Sequence, residues 1–340
     1  MIEKKDLSAL KSLIVKNIEH SGNAHCNLLW DRLFINNKGN VYVCCLLKPG
    51  IIGNIYREDL SRIWKGSVRL NLFRLMSIRG CLNYFCQQRC IFMSELLEDN
   101  STREVFLEYP RRLDILFGES CNLECIMCGQ DHRGKTALDI NILKKNVGWS
   151  RLEEITLQGG EILVMKDGRE FYLWLTQKMN KKVDLITNGM FINDEWADYM
   201  TKGSNWIQIS VNAATEKTHE LVNKHSKFKT VINNIKRLVR SKSKNNSEVK
   251  IVYKYTIVKE NLHEITKAID FAESLGCDKI CYGYDNPVPA VLTVNNKLKS
   301  GIKNEISNKL DNKNLRIHLN RDVLEFLGLF EPNNFAHPKK

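Results

Sequence analysis

The chain has 340 residues, of which 43% are hydrophobic and 26% charged, and a net charge of +12. This length and mix exclude disordered, collagen-like and fibrous classes and leave room for a main domain with a smaller one beside it. No apolar run of about 18 residues is present to span a bilayer, and eleven cysteines without a secretory signal point to metal binding in the cytoplasm rather than to a disulfide scaffold. The excess of Lys and Arg favours acidic partners such as nucleic acid, anionic sugars or an acidic peptide. It is scattered along the chain, so a solvated basic surface explains it better than a nucleic-acid groove.

The opening segment, MIEKKDLSALKSLIVKNIEH, reads as an amphipathic helix rather than a signal peptide. Nine of the eleven cysteines then fall between Cys26 and Cys128. From Arg111 onward short apolar runs alternate with amphipathic stretches, the pattern of parallel strands joined by helices. The strand candidates are RRLDILFG from Arg111, EITLQGGE from Glu154, KVDLITNG from Lys182, WIQISVNAA from Trp206, KIVYKYTIV from Lys250 and DKICYGYD from Asp278. Asn193 reads as the N-cap of a helix around Trp196. Phe228, Val231, Ile232, Ile235, Leu238 and Val239 keep the spacing of one buried helical face, and SKSKNNS after Arg240 reads as a surface loop. The next helix carries Ile265, Ala268, Ile269 and Ala272 and stops at Gly276, which suits a left-handed cap.

Six such units with right-handed crossovers curl into a partial (β/α)6 barrel of α/β class, with its chemistry at the C-terminal strand ends. The expected division is residues 1–105 as a small cysteine-rich domain, 106–285 as the barrel, and 286–340 as a C-terminal helix and strand (LRIHLN) covering the barrel opening.

The first of these strands runs into GESCNLECIMCGQ, which spaces Cys121, Cys125 and Cys128 as C-x3-C-x2-C. Three thiolates on one short loop can hold three irons of a [4Fe–4S] cluster and leave the fourth open to a small molecule. A structural zinc site normally takes four ligands, and His132 is a looser fit as the fourth.

CNLECIMC resembles the CxxxCxxC signature of the radical S-adenosylmethionine (SAM) superfamily. The resemblance covers about Arg111 to Asp285 and implies that the open iron chelates the amino and carboxylate groups of SAM. Gly159, Gly160 and Glu161 resemble the family's GGE motif, which implies close backbone approach and a carboxylate at the methionine amino group. Thr187 and Asn188 are similar to its TNG segment, and Ser210 to Asn212 resemble the segment that reaches the SAM ribose and carboxylate. Met127 departs from the aromatic residue common on the adenine side. The family chemistry is one-electron cleavage of SAM and hydrogen abstraction by a 5′-deoxyadenosyl radical, with a flavodoxin- or ferredoxin-type electron donor.

Cys26, Cys44, Cys86 and Cys90, with GNIYREDLSRIW between them, resemble a SPASM or twitch domain, which implies an auxiliary iron–sulfur cluster with those four as ligands and FINNKGNVYVCC as a hairpin turning at Lys38-Gly39. This module usually follows the barrel, whereas here it precedes it. Zinc is the competing metal, and Cys45 and Cys81 are competing ligands.

These readings give a radical SAM oxidoreductase or modifying enzyme. A peptide or protein side chain ranks first as substrate, because auxiliary-cluster modules are common in peptide-modifying relatives. A sugar, nucleotide or modified base ranks second, and a non-catalytic electron carrier or redox-sensing nucleic-acid binder is the alternative of another class. Tyr255, Tyr282 and Tyr284 lie near strand ends facing the cavity and could touch substrate, but aromatic residues there are more often packing, and Cys277 and Cys281 read as buried small apolar residues, with Cys281 facing the site as the alternative. Lys254 stands beside them as a residue that could touch substrate.

Overall fold

The computed structural model describes residues 26, 28–45, 50–78, 107–284, 296–309, 314–320, 323 and 327. The amphipathic N-terminal segment and Cys81, Cys86 and Cys90 lie outside them.

All six expected strands are present and parallel: β4 (Arg112–Leu116), β5 (Glu154–Gln158), β6 (Val183–Thr187), β7 (Trp206–Ser210), β8 (Lys250–Ile257) and β9 (Lys279–Tyr284). Successive side chains in a strand point to opposite faces. Ile155 and Leu157, Leu185, Ile207 and Ile209, and Ile251 and Tyr253 accordingly form one buried face packed under the crossover helices. Asn193 caps the helix Asp194–Gly203 by accepting from the Trp196 amide at 2.8 Å, and the helix Ile265–Ser274 ends at Gly276, whose φ is +78°. The helix over Phe228 runs to Lys244, so the first part of the expected SKSKNNS loop is helical.

The cysteine-rich module belongs to the same sheet. Strand β1 (Arg32–Ile35) pairs in parallel with β4, and β2 (Asn40–Tyr42) and β3 (Ile51–Asn54) follow it antiparallel. The expected hairpin turn is there: the Gly39 amide donates to the Asn36 carbonyl at 2.9 Å with φ at +74°. A Cβ on Gly39 would lie 2.3 Å from the Tyr56 ring, so only glycine fits. The short helix Leu60–Gly66 is capped by Asp59 and buries Trp64, whose indole donates to Leu107 O at 2.7 Å. Arg74 lies 4.3 Å from the Trp64 ring centroid and 5.3 Å from that of Trp30. The module grips the barrel through Asn146 Nδ2, which donates to Ile55 O at 2.7 Å, and through the Asp139 amide, which donates to Tyr56 Oη at 3.0 Å.

At the other end, the expected helix and strand are Asn296–Lys309 and β10 (Arg316–Leu319). Strand β10, expected to cover the barrel opening, instead pairs in parallel with β9 as an edge strand, giving ten strands in the order β10-β9-β8-β7-β6-β5-β4-β1-β2-β3. Among the described residues no helix is long and apolar enough to cross a membrane.

Candidate functional site

The loop after β4 carries the three cysteines, and its backbone is anchored at both ends of the C-x3-C-x2-C segment. The Cys121 amide donates to His132 O at 3.1 Å and the Cys128 amide to Cys125 O at 3.0 Å. Between them the Glu124 and Ile126 amides donate to Lys224 O at 3.2 Å and Val222 O at 3.0 Å. The segment after β7 is therefore the floor on which the loop rests. That floor is fixed by His219, wholly buried, with Nδ1 2.7 Å from Val211 O and Nε2 2.7 Å from Ser226 Oγ.

The three thiols are half-buried or, for Cys128, exposed. Burial pushes the Cys125 thiol up to about 12, and the neighbouring Cys121 and Cys128 sulfurs add to the shift. Cys121 is also raised, by burial first and then by the charges of Glu161 and Cys128, while the Leu123 amide and the Asn188 side chain act the other way. The Leu123 amide is 3.4 Å and Asn188 Nδ2 3.9 Å from Cys121 Sγ. Without a metal, thiols raised in this way stay protonated, and bound iron would hold them as thiolates.

The two glycines after β5 allow a close approach that the sequence alone assigns to the cofactor. Gly159 and Gly160 have φ of +111° and +22°. A Cβ on Gly160 would lie 2.2 Å from Ser120 O, and one on Gly159 2.6 Å from Gly118 O, so the pair lets β5 press against the start of the cysteine loop. The Gly160 amide is taken by Gln130 Oε1 at 2.8 Å, and the Glu161 amide donates to Ser120 O at 2.9 Å.

Glu161 and Asn212 are each held by hydrogen bonds within the fold. The Glu161 carboxylate is wholly buried and accepts from Thr187 Oγ1 at 2.9 Å, the Asn188 amide at 2.7 Å and the Leu163 amide at 3.0 Å. Burial raises its pKa, and those donors oppose the rise. It ties the end of β5 to the end of β6, whereas the resemblance expects it at the methionine amino group. Asn212, buried with φ at +60°, donates to Asn223 Oδ1 at 2.9 Å and accepts from the Thr256 amide at 2.7 Å. Asn188 does reach the loop, donating to Asn122 Oδ1 at 2.8 Å. Ser210 and Met127 are half-buried. A second carboxylate clamp, Glu264, escaped the sequence reading: it accepts from the Ala214 amide at 2.7 Å and the Thr218 hydroxyl at 2.9 Å, beneath the same floor segment. A lone Glu in a helical stretch gives no signal of that role.

The family model of the radical SAM superfamily matches residues 115–272, from inside β4 to the helix after β8. Over that stretch, a little under half of its length, this chain resembles the radical SAM superfamily. An iron–sulfur cluster-binding domain of the SPASM type matches residues 26–91, ahead of the barrel. The curated relatives include a probable GTP 3′,8-cyclase of Methanocaldococcus jannaschii, 27% identical over 149 residues that make up 42% of this chain and 48% of the relative. A probable GTP 3′,8-cyclase of Saccharolobus islandicus is 24% identical over 173 residues, 49% of this chain and 54% of the relative. The chain thus spans about half the length of the curated relatives it matches. Among solved structures, Streptococcus suis SuiB superposes with a TM-score of 0.51 at 14% identity, covering 79% of this chain and 68% of SuiB, which is a likeness of fold.

The two matched families carry a [4Fe–4S] cluster with SAM and an auxiliary iron–sulfur cluster in the SPASM-type domain, and these are the cofactors of this chain. The donor set after β4 has the chemistry of the first, three thiols on one anchored loop without a fourth protein ligand in the motif, although among the described residues no three His, Cys, Asp or Glu side chains stand close enough together to hold a metal ion. Of the auxiliary ligand set, Cys26 and Cys44 are half-buried against the core, Cys45 is exposed, and Cys86 and Cys90 lie outside the described residues.

Proposed function

We propose that this radical SAM enzyme acts on a nucleotide or a nucleotide-derived small molecule, in place of the peptide side chain that the sequence ranks first. The observation that carries this reading is the match of 149 to 173 residues of the chain to the probable GTP 3′,8-cyclases. The likeness to SuiB extends to the fold alone. The SPASM-type module was the ground for a peptide substrate, and it keeps that reading as the competitor.

The bound cluster and SAM together supply one-electron cleavage of SAM and abstraction of a hydrogen atom. In this reading Cys121, Cys125 and Cys128 hold the cluster. Asn188, Ser210 and Met127 contribute to the cofactor side, and Gly159 and Gly160 keep the wall thin enough for it. Glu161 is a positioning residue: its three donors set the Thr187-Asn188 turn, and that turn sets the amide beside Cys121. Asn212 and His219 hold the floor under the loop. The barrel around these groups limits water, which a reactive radical requires.

The test is release of 5′-deoxyadenosine by anaerobically reconstituted protein with a reductant, in the presence of nucleoside triphosphates, nucleosides or acidic peptides. Release that depends on the three cysteines and rises with a nucleotide supports the reading. Release stimulated only by a peptide overturns it.

A further inference from the structure

Strands β8, β9 and β10 carry none of the cofactor motifs, yet their inner face has a composition of its own. Tyr255 and Tyr282 turn outward, their hydroxyls donating to Asn261 O and Ile265 O at 2.6 Å each. Tyr253 meets Phe271 edge to face, with centroids 6.4 Å apart. Strand alternation puts Val252 and Lys254, Lys279 and Cys281, and Arg316 and His318 on the opposite face, toward the barrel interior. The registers align them in rows: Ser210, Lys254, Cys281 and His318 in one, and Val252, Lys279 and Arg316 in the next.

Three cations and an imidazole thus share one wall. Lys254 Nζ lies 3.8 Å from Cys281 Sγ. A Cβ on Gly283 would be 2.7 Å from both Lys254 Nζ and Asn320 Nδ2, so two hydrogen-bond donors come together over that glycine. Burial lowers the His318 pKa to about 4, and the charges of Lys279, Lys254 and Arg316 add to the shift. His318 is therefore a neutral imidazole among cations. No ion pair among the described residues involves Lys254 or Lys279. Like charges gathered on one wall repel, and a multivalent anion relieves that repulsion.

We infer that the inner wall of β8, β9 and β10, built on Lys254 and Lys279 with Arg316 and His318 beside them, binds the di- or triphosphate group of the substrate. The inference rests on the nucleotide reading for the rest of the substrate, and on the wall alone for its anionic part. The Val211 and Asn212 amides both donate to Lys254 O at 3.1 Å, so the wall adjoins the segment expected to face SAM. A phosphate held there leaves the remainder of the molecule between the wall and the cluster loop.

The experiment is calorimetric titration of the reconstituted holoprotein with inorganic triphosphate, GTP and guanosine, with SAM affinity measured in parallel. Triphosphate and GTP are expected to bind with guanosine at least about tenfold weaker, and affinity should fall as salt rises. Lys254→Gln and Lys279→Gln should each weaken triphosphate binding about tenfold and leave SAM affinity within about twofold. Lys229→Gln, in an exposed pair with Glu216, is the control and should change nothing. Equal triphosphate affinity in wild type and both wall variants overturns the inference, as does a loss of SAM affinity in Lys254→Gln with triphosphate unaffected. The two readings fail separately. Wall-dependent triphosphate binding without nucleotide-stimulated SAM cleavage sinks the nucleotide and keeps the wall, and nucleotide stimulation with wall-independent binding does the reverse.

Discussion

The ends of β4 to β7 and the inner face of β8 to β10 treat polar groups in opposite ways. At the first, carboxylates and amides are spent on one another: Glu161 on Thr187 and Asn188, Asn188 on Asn122, Asn212 on Asn223. At the second, lysines stand on one face without carboxylate partners among the described ion pairs. Satisfied networks fix geometry, and uncompensated charge is available to a ligand. The difference separates a region that positions from a region that receives.

Five substitutions, two of them read across a pH series, test this division. Cys125→Ala should abolish 5′-deoxyadenosine release while the iron content of the N-terminal module persists; full activity in that variant would end the radical SAM mechanism for this loop. Glu161→Gln should come next, because it sets an amide donor against the Thr187 and Asn188 donors. A loss of about 1–3 kcal/mol is expected, read as a lower thermal midpoint together with reduced SAM affinity. If stability falls but SAM affinity holds, Glu161 positions nothing that the cofactor feels. His219→Leu removes two buried hydrogen bonds from the floor. Its cost should be about 1–3 kcal/mol, with a cluster that is lost faster on exposure to air; an unchanged cluster lifetime would break the link between floor and loop.

The smallest effects are in pH dependence, and they carry opposite signs at Asp184, near the start of β6, and at His318 on β10. Burial raises the Asp184 carboxyl from 3.8 to about 6, so the folded chain keeps a proton that the unfolded chain has released. Its contribution to stability is complete below about pH 4 and is lost as pH rises to about 6. His318 is lowered from 6.5 to about 4, so the unfolded chain binds a proton that the folded chain refuses. Its contribution is complete above about pH 6.5 and is lost as pH falls toward 4. Thermal midpoints from pH 4 to 7 should therefore lose one limb in Asp184→Asn and the other in His318→Gln.

Much of this arrangement was legible in the sequence. The six barrel strands show in apolar runs that end in glycine or small polar residues, and the iron-binding loop shows in cysteine spacing. The hairpin turn shows because Gly39 must accept a positive φ. What was not legible depends on contacts between distant residues. Nothing near Glu161 says that Thr187 and Asn188 will turn toward it, and nothing near Glu264 announces the Ala214 amide. The rows on β8 to β10 follow from register, which a strand's own residues do not state. Tyr255 and Tyr282 pack, as aromatic residues there more often do, but they turn to the helix side and not to the cavity that the sequence assigned them; the lysines and the histidine around them gained meaning only once their face was known.

The parallel pairing of β1 with β4 has a further consequence, in the order of assembly. Arg32 lies opposite Arg112 and Ile35 opposite Ile115, so β1 must wait for a partner synthesised 80 residues later. At ordinary translation rates that wait is on the order of 10 s. Until then the hairpin carries an open edge lined by Leu33 and Ile35, both wholly buried in the finished sheet. The nascent hairpin is thus the segment most exposed to off-pathway strand pairing, and its closure is the step at which the cysteine-rich module and the barrel become one cooperative unit.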